Sequence, residues 1–139
     1  MNRKKVFAFF TAVLMMISFT VPTCAVDTRA SDQLAVYDIY AKTVTDKIAV
    51  FVTVTGNGVM DKIGCESIDV YKLVGSDWVW TESKTEDDDN MSRTNFYTHA
   101  DTVYCTGESG VHYKVVVTIF AENSKGRDTR SETFYLIGK

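Results

Sequence analysis

Few side chains in this 139-residue chain could do covalent chemistry, and they lie far apart. A hydrolytic triad needs a nucleophile, a base and an orienting acid, and the only histidine bases are His99 and His112. Neither sits in a nucleophile motif, and no Gly-x-Ser-x-Gly occurs. The run Glu86-Asp87-Asp88-Asp89-Asn90 offers hard oxygen ligands of the kind Ca²⁺ takes, but lacks the EF-hand spacing and its glycine. A block of like charge reads more simply as a solvated, self-repelling loop. Cys65, Cys105, His99 and His112 could in principle bind zinc, yet no closely spaced pair exists. No cofactor-binding motif is present, so the expectation is a non-enzymatic protein with no cofactor. A small extracellular enzyme is the minor alternative.

The aromatic residues are more informative. Tyr71, Trp78, Trp80, Phe120 and either Phe134 or Tyr135 fall where strand alternation could bring them to one outer sheet face. Tyr and Trp join apolar area to a polar tip, which suits sugar stacking or protein contact. The competing reading has the tryptophans closing the core edge of a small β domain. Residues 110–121 sharpen the choice. Tyr113, Val115, Val117 and Ile119 occupy one side of a strand and read as core, with His112, Lys114, Val116, Thr118 and Phe120 on the other. Val116 and Phe120 are too apolar for a purely solvated face. The polar hairpin that follows, Asn123 to Asp128, could present further contacts. The expected binding residues are therefore Tyr71, Trp78, Trp80, Val116, Phe120 and Asn123.

These side chains must be positioned by a domain built outside the cytoplasm. Residues 1–25 have the three parts of a secretory signal: Arg3, Lys4 and Lys5, an apolar run over residues 6–19, and a short end at Thr23-Cys24-Ala25. The run is shorter than the roughly 20 residues of a membrane-spanning helix, and no second run follows. A lipoprotein signal ending at Cys24 is the alternative, disfavoured because Val21-Pro22-Thr23 precedes the cysteine. Removing the signal takes Lys plus Arg from 15 to 12 against 18 Asp plus Glu, so the mature charge is about −6. That excess argues against nucleic acid and against an electrostatic hold on anionic membranes or wall polymers. The partner expected is an extracellular protein or glycan; the sequence leaves its identity and the oligomeric state open. Cys65 and Cys105 remain in the mature chain. Two cysteines in an oxidising compartment often pair, which could contribute roughly 3 to 4 kcal/mol, and two separate buried thiols are the other possibility.

After a polar lead over residues 26–33, taken as disordered, the single domain spans residues 34–139. Strand signals occur over residues 34–44, 48–55, 67–74, 78–82, 95–105, 110–121 and 129–137, with turns at Thr45-Asp46-Lys47, Gly56-Asn57-Gly58 and Gly75-Ser76-Asp77. Residues 84–94 are too charged to form a packed strand. No sustained helical period follows the signal. Seven short strands without helical connections predict an all-β fold of two packed antiparallel sheets.

Gly110-Val-His-Tyr113-Lys-Val115 followed by Ala121-Glu-Asn-Ser-Lys-Gly126 resembles the penultimate strand and hairpin of immunoglobulin-like and fibronectin type III-like modules. The resemblance implies that the Tyr113 hydroxyl bonds back to the chain near Gly107. The antibody-type cysteine and tryptophan are absent, with Val115 where the second cysteine would stand. Residues 68–80 followed by residues 107–126 also resemble uncharacterised small secreted proteins of clostridia-like Gram-positive bacteria, which carry no known active-site residues.

Overall fold

The computed structural model describes residues 31–139; the signal segment, Cys24 and residues 26–30 of the polar lead lie outside them. The described chain is all-β and antiparallel. Its strands are β1 (Leu34–Val44), β2 (Lys47–Val74), β3 (Asp77–Thr85), β4 (Ser92–Thr106), β5 (His112–Asn123) and β6 (Gly126–Ile137). Period-two alternation of β-branched residues with polar ones drives each of them. In β5, Tyr113, Val115, Val117 and Ile119 are buried, as the sequence predicts.

Where seven strands are expected there are six. Residues 48–55 and 67–74 belong to one 28-residue strand, β2, which runs through Gly56-Asn57-Gly58 instead of turning there. The glycines bend the strand without reversing it. Gly58 and Gly64 both have φ of 151°, a conformation that side chains with a Cβ rarely adopt. The β2–β4 register also shifts between Thr55 and Met60. Beyond this bend one edge of the strand changes partner, while β4 stays paired as far as Gly64. Its first part pairs with β1 on one edge and with β4 on the other. Its later part pairs with β5, through residues 62–72, and with β3, through residues 67–74. β6 pairs with β5. All strands thus belong to one hydrogen-bonded six-stranded sheet. Strands β1 and β6 stand at the two ends of the path β1-β2-β5-β6 and still meet, so the sheet curls.

The core fills the concave side. Ile48, Val50, Val52 and Val54 from the first part of β2 join Ile63, Ile68 and Val70 from its second part, with Val115, Val117 and Ile119 from β5. At the corner before β5, the Glu108 N–H donates to the Tyr113 hydroxyl at 2.8 Å, beside Gly107, the bond that the resemblance implies. The acidic excursion is shorter than residues 84–94, because β3 runs to Thr85 and β4 begins at Ser92. Its end is anchored by Met91, which is fully buried and whose carbonyl accepts from the Cys65 N–H at 2.7 Å. Residues 31–33, expected to be disordered, are instead tied down: the Ser31 hydroxyl (2.6 Å) and the Gln33 N–H (2.8 Å) both donate to Asp128.

Candidate binding surface

Directly paired residues on neighbouring strands share a face. Strands β3, β2, β5 and β6 lie side by side, and their registers stack the outward side chains into rows. The first row is Trp78, Leu73, His112 and Ile137. The second is Trp80, Tyr71, Lys114 and Tyr135. The third, Ser83, Asp69, Val116 and Thr133, and the fourth, Thr85, Ser67, Thr118 and Ser131, are rich in hydroxyls. A one-residue bulge in β3 between its pairings to Tyr71 and Val70 keeps both tryptophans and the later Ser83 and Thr85 on the same face.

The aromatic rings form one cluster. Trp78 packs on Tyr135 with ring centroids 5.7 Å apart and planes at 52°. Lys114 reaches between the rings, its Nζ 4.3 Å from the centroid of Tyr71 and 5.7 Å from that of Trp78. Trp80 and Tyr135 present their surfaces to solvent, at 58% and 68% exposure. Next to them Leu73, Trp78, His112, Tyr135 and Ile137 border an open cleft of about 280 Å³. The one carboxylate in the four rows, Asp69, is occupied by hydroxyl donors from Ser83 (2.6 Å) and Ser67 (3.3 Å).

Tyr71, Trp78, Trp80 and Val116 therefore do share a face, with Val116 half-buried. Phe120 does not belong to it. Alternation gives its direction, but it is fully buried, with the Arg127 guanidinium carbon 3.8 Å from its ring centroid. Asn123 is also separate. Nine residues further along β5 than Lys114, it lies about 30 Å away at the strand rise, and its Oδ1 caps the hairpin by accepting from the Lys125 N–H at 2.9 Å. The expected Cys65–Cys105 disulfide is likewise not what the structure holds. Both are buried free thiols, and Cys65 Sγ donates to the carbonyls of Thr118 (3.3 Å) and Ser67 (3.4 Å). The two positions lie on β2 and β4, paired across from Ile119 and Ile48 respectively, and both belong to the one core cluster. Burial pushes both thiols up to about 12, so they stay protonated at neutral pH.

Three groups were not legible as a set in the sequence. Arg127 gathers three carboxylates: Glu86, Glu122 at 2.9 Å and Glu66 at 3.3 Å. Lys62 adds Glu86 at 3.0 Å and Asp87 at 2.9 Å. The acidic loop is thus fastened to the β5–β6 hairpin rather than freely solvated. The Arg127 hydrogen bond holds Glu86 below the usual carboxylate range. His99 is buried on β4, and neither ring nitrogen has a partner at hydrogen-bonding geometry, though the Asn90 backbone faces the ring. Burial holds its imidazole below the ordinary value. Finally Tyr40, Phe51 and Tyr104 form a second aromatic patch, on the outward side of β1, β2 and β4. Lys42 and Lys47 lie over the rings of Phe51 and Tyr104.

Among the described residues, no group of three or more His, Cys, Asp or Glu side chains is placed to hold a metal ion, and no helix is long and apolar enough to cross a membrane. His112 is exposed beside the aromatic cluster on β5, whereas His99 is buried on β4, and the two strands do not pair. No protein family, curated protein or solved structure matches this chain.

Proposed function

We propose that this chain is a secreted, non-enzymatic binding module with an immunoglobulin-like two-sheet sandwich, and that the outward face of β3, β2, β5 and β6 is its binding surface. The observation that carries the reading is the cluster of Tyr71, Trp78, Trp80 and Tyr135 around Lys114, with large rings left open to solvent on a rigid strand face. Rigid aromatic groups contribute contact area at little entropic cost. The sandwich reading is supported by the partner change along β2, with β1, β2 and β4 in one strand group and β3, β2, β5 and β6 in the other, and by the single core cluster to which residues of both groups contribute. The Tyr113 hydroxyl bond at the corner supports it further. The secretory signal reading of residues 1–25 supports an extracellular role. Glycan and protein arrays probed with the mature protein test the surface. Binding that survives alanine at both Trp78 and Trp80 overturns the assignment.

A structural, self-associating role is favoured by one specific feature. Among the described residues β1 pairs only with β2, and its Val36 and Tyr40 are 66% and 54% exposed, so its other edge can accept a further strand.

A further inference from the structure

From the placement of Lys114, resting on the binding-face reading above, we propose that the ligand is an acidic polysaccharide, its sugar rings stacking on Trp80 and Tyr135 and a uronate carboxylate meeting the Lys114 ammonium. Lys114 is the only lysine or arginine in the four rows, and among the described residues no carboxylate pairs with it. Asp69, in the adjoining row, is held by Ser83 and Ser67. The mature protein carries net negative charge, so an unpaired cation at the centre of its most aromatic face is a point of charge complementarity, not part of a general basic surface. The Tyr71 and Trp78 rings orient the ammonium without satisfying its N–H donors, which remain free for a charge-assisted hydrogen bond.

The rest of the face fits a sugar chain better than an acidic peptide. The aromatic row crosses four strands, a width of about 14 Å at the usual interstrand spacing, enough for successive sugar rings to lie along it. Alongside it run hydroxyls: Ser83 and Thr133 in the third row, then Thr85, Ser67, Thr118 and Ser131 in the fourth. Ser83, Ser67 and Thr85 donate to carboxylates and Thr118 bonds Ser131, which leaves acceptor lone pairs to which sugar hydroxyls can donate. An extended peptide would instead seek unpaired backbone at a strand edge, which the centre of this face does not offer.

Isothermal titration of the secreted chain with short oligosaccharides of galacturonate, alginate and hyaluronan tests this, each compared with its carboxyl-reduced neutral form and with oligoglutamate. At least one acidic oligosaccharide is expected to bind about tenfold or more tightly than its reduced form, the size of one charge-assisted hydrogen bond. Lys114→Gln should abolish that difference with an unchanged thermal midpoint, Lys114→Arg should restore it, and Trp80→Ala should weaken the acidic and neutral forms alike. Equal affinity for neutral forms, equal affinity for oligoglutamate, or no binding by any of the three acidic series overturns the proposal. Trp80-dependent binding of a neutral glycan or of a protein would leave the binding face standing while removing the acidic sugar.

Discussion

At the residue scale, polar atoms enclosed by the fold have consequences that can be measured one side chain at a time. Tyr113 is buried except for its hydroxyl bond to the Glu108 N–H, so Tyr113→Phe removes a single contact and should cost about 1 kcal/mol in urea unfolding. His99 has a pH signature. Burial depresses its folded pKa below the ordinary 6.5, so the unfolded chain binds more protons below that pH. Its contribution to stability is complete above about pH 6.5 and is lost as pH falls through the folded pKa. Unfolding midpoints should therefore decline between about pH 7 and about pH 5, and the slope should flatten in His99→Leu. The cysteines give a third readout. Protonated and enclosed, Cys65 and Cys105 should resist iodoacetamide in the native protein at about pH 8 and both react once it is unfolded without reductant, as intact mass would record. A chain that stays unlabelled after unfolding would carry a disulfide instead.

Elements explain what could be read in advance and what could not. The bounds of β1 follow from its β-rich composition and the turn at Thr45-Asp46-Lys47, the buried side of β5 follows from alternation, and so does the shared direction of Tyr71, Trp78 and Trp80, because a hairpin's register depends on residues close in sequence. Phe120 shows where that reasoning stops. Its direction was legible, but its cover comes from Arg127, reached through a turn and held by Glu86 from a distant loop. Lys62, Glu66, Glu86, Glu122 and Arg127 are charged residues of ordinary spacing, and nothing local marks them as one group. Gly56-Asn57-Gly58 misled for a related reason: glycines permit a reversal or a bend, and partners far along the chain decide between them. Gly64 is the more demanding of the glycines in β2. A Cβ there would stand 2.7 Å from Ser92 Cα and press on the Met91 carbonyl, in a backbone conformation that already disfavours side chains. Gly64→Ala should destabilise by about 2 to 4 kcal/mol, seen as a lower urea midpoint, since overpacking and backbone strain combine.

For the whole molecule, acid should act through the carboxylates that fasten its parts together. Glu86 is held low by the Arg127 hydrogen bond, and Asp128 by the Ser31 hydroxyl and the Gln33 N–H. A carboxylate depressed in the folded state stabilises above its unfolded value, near 4, and that stability is lost as pH falls through the folded value. Replacing Arg127 with Met should raise the midpoint of acid unfolding, followed by far-ultraviolet circular dichroism. Association is the other property of the whole. If the open edge of β1 recruits a second copy, sedimentation will show mass rising with concentration, and a strict monomer throughout would end the self-associating reading.

The continuity of β2 also bears on how the protein comes apart. One strand pairs with β1 over its first part, with β4 as far as Gly64, and with β5 and β3 over its later part, so neither group of strands can detach while keeping its central member. Opening should be concerted. Amide hydrogens of β2 on both sides of the Gly56–Gly58 bend should exchange with deuterium at one common rate set by global unfolding, and a protease should find no stable half-domain to leave behind.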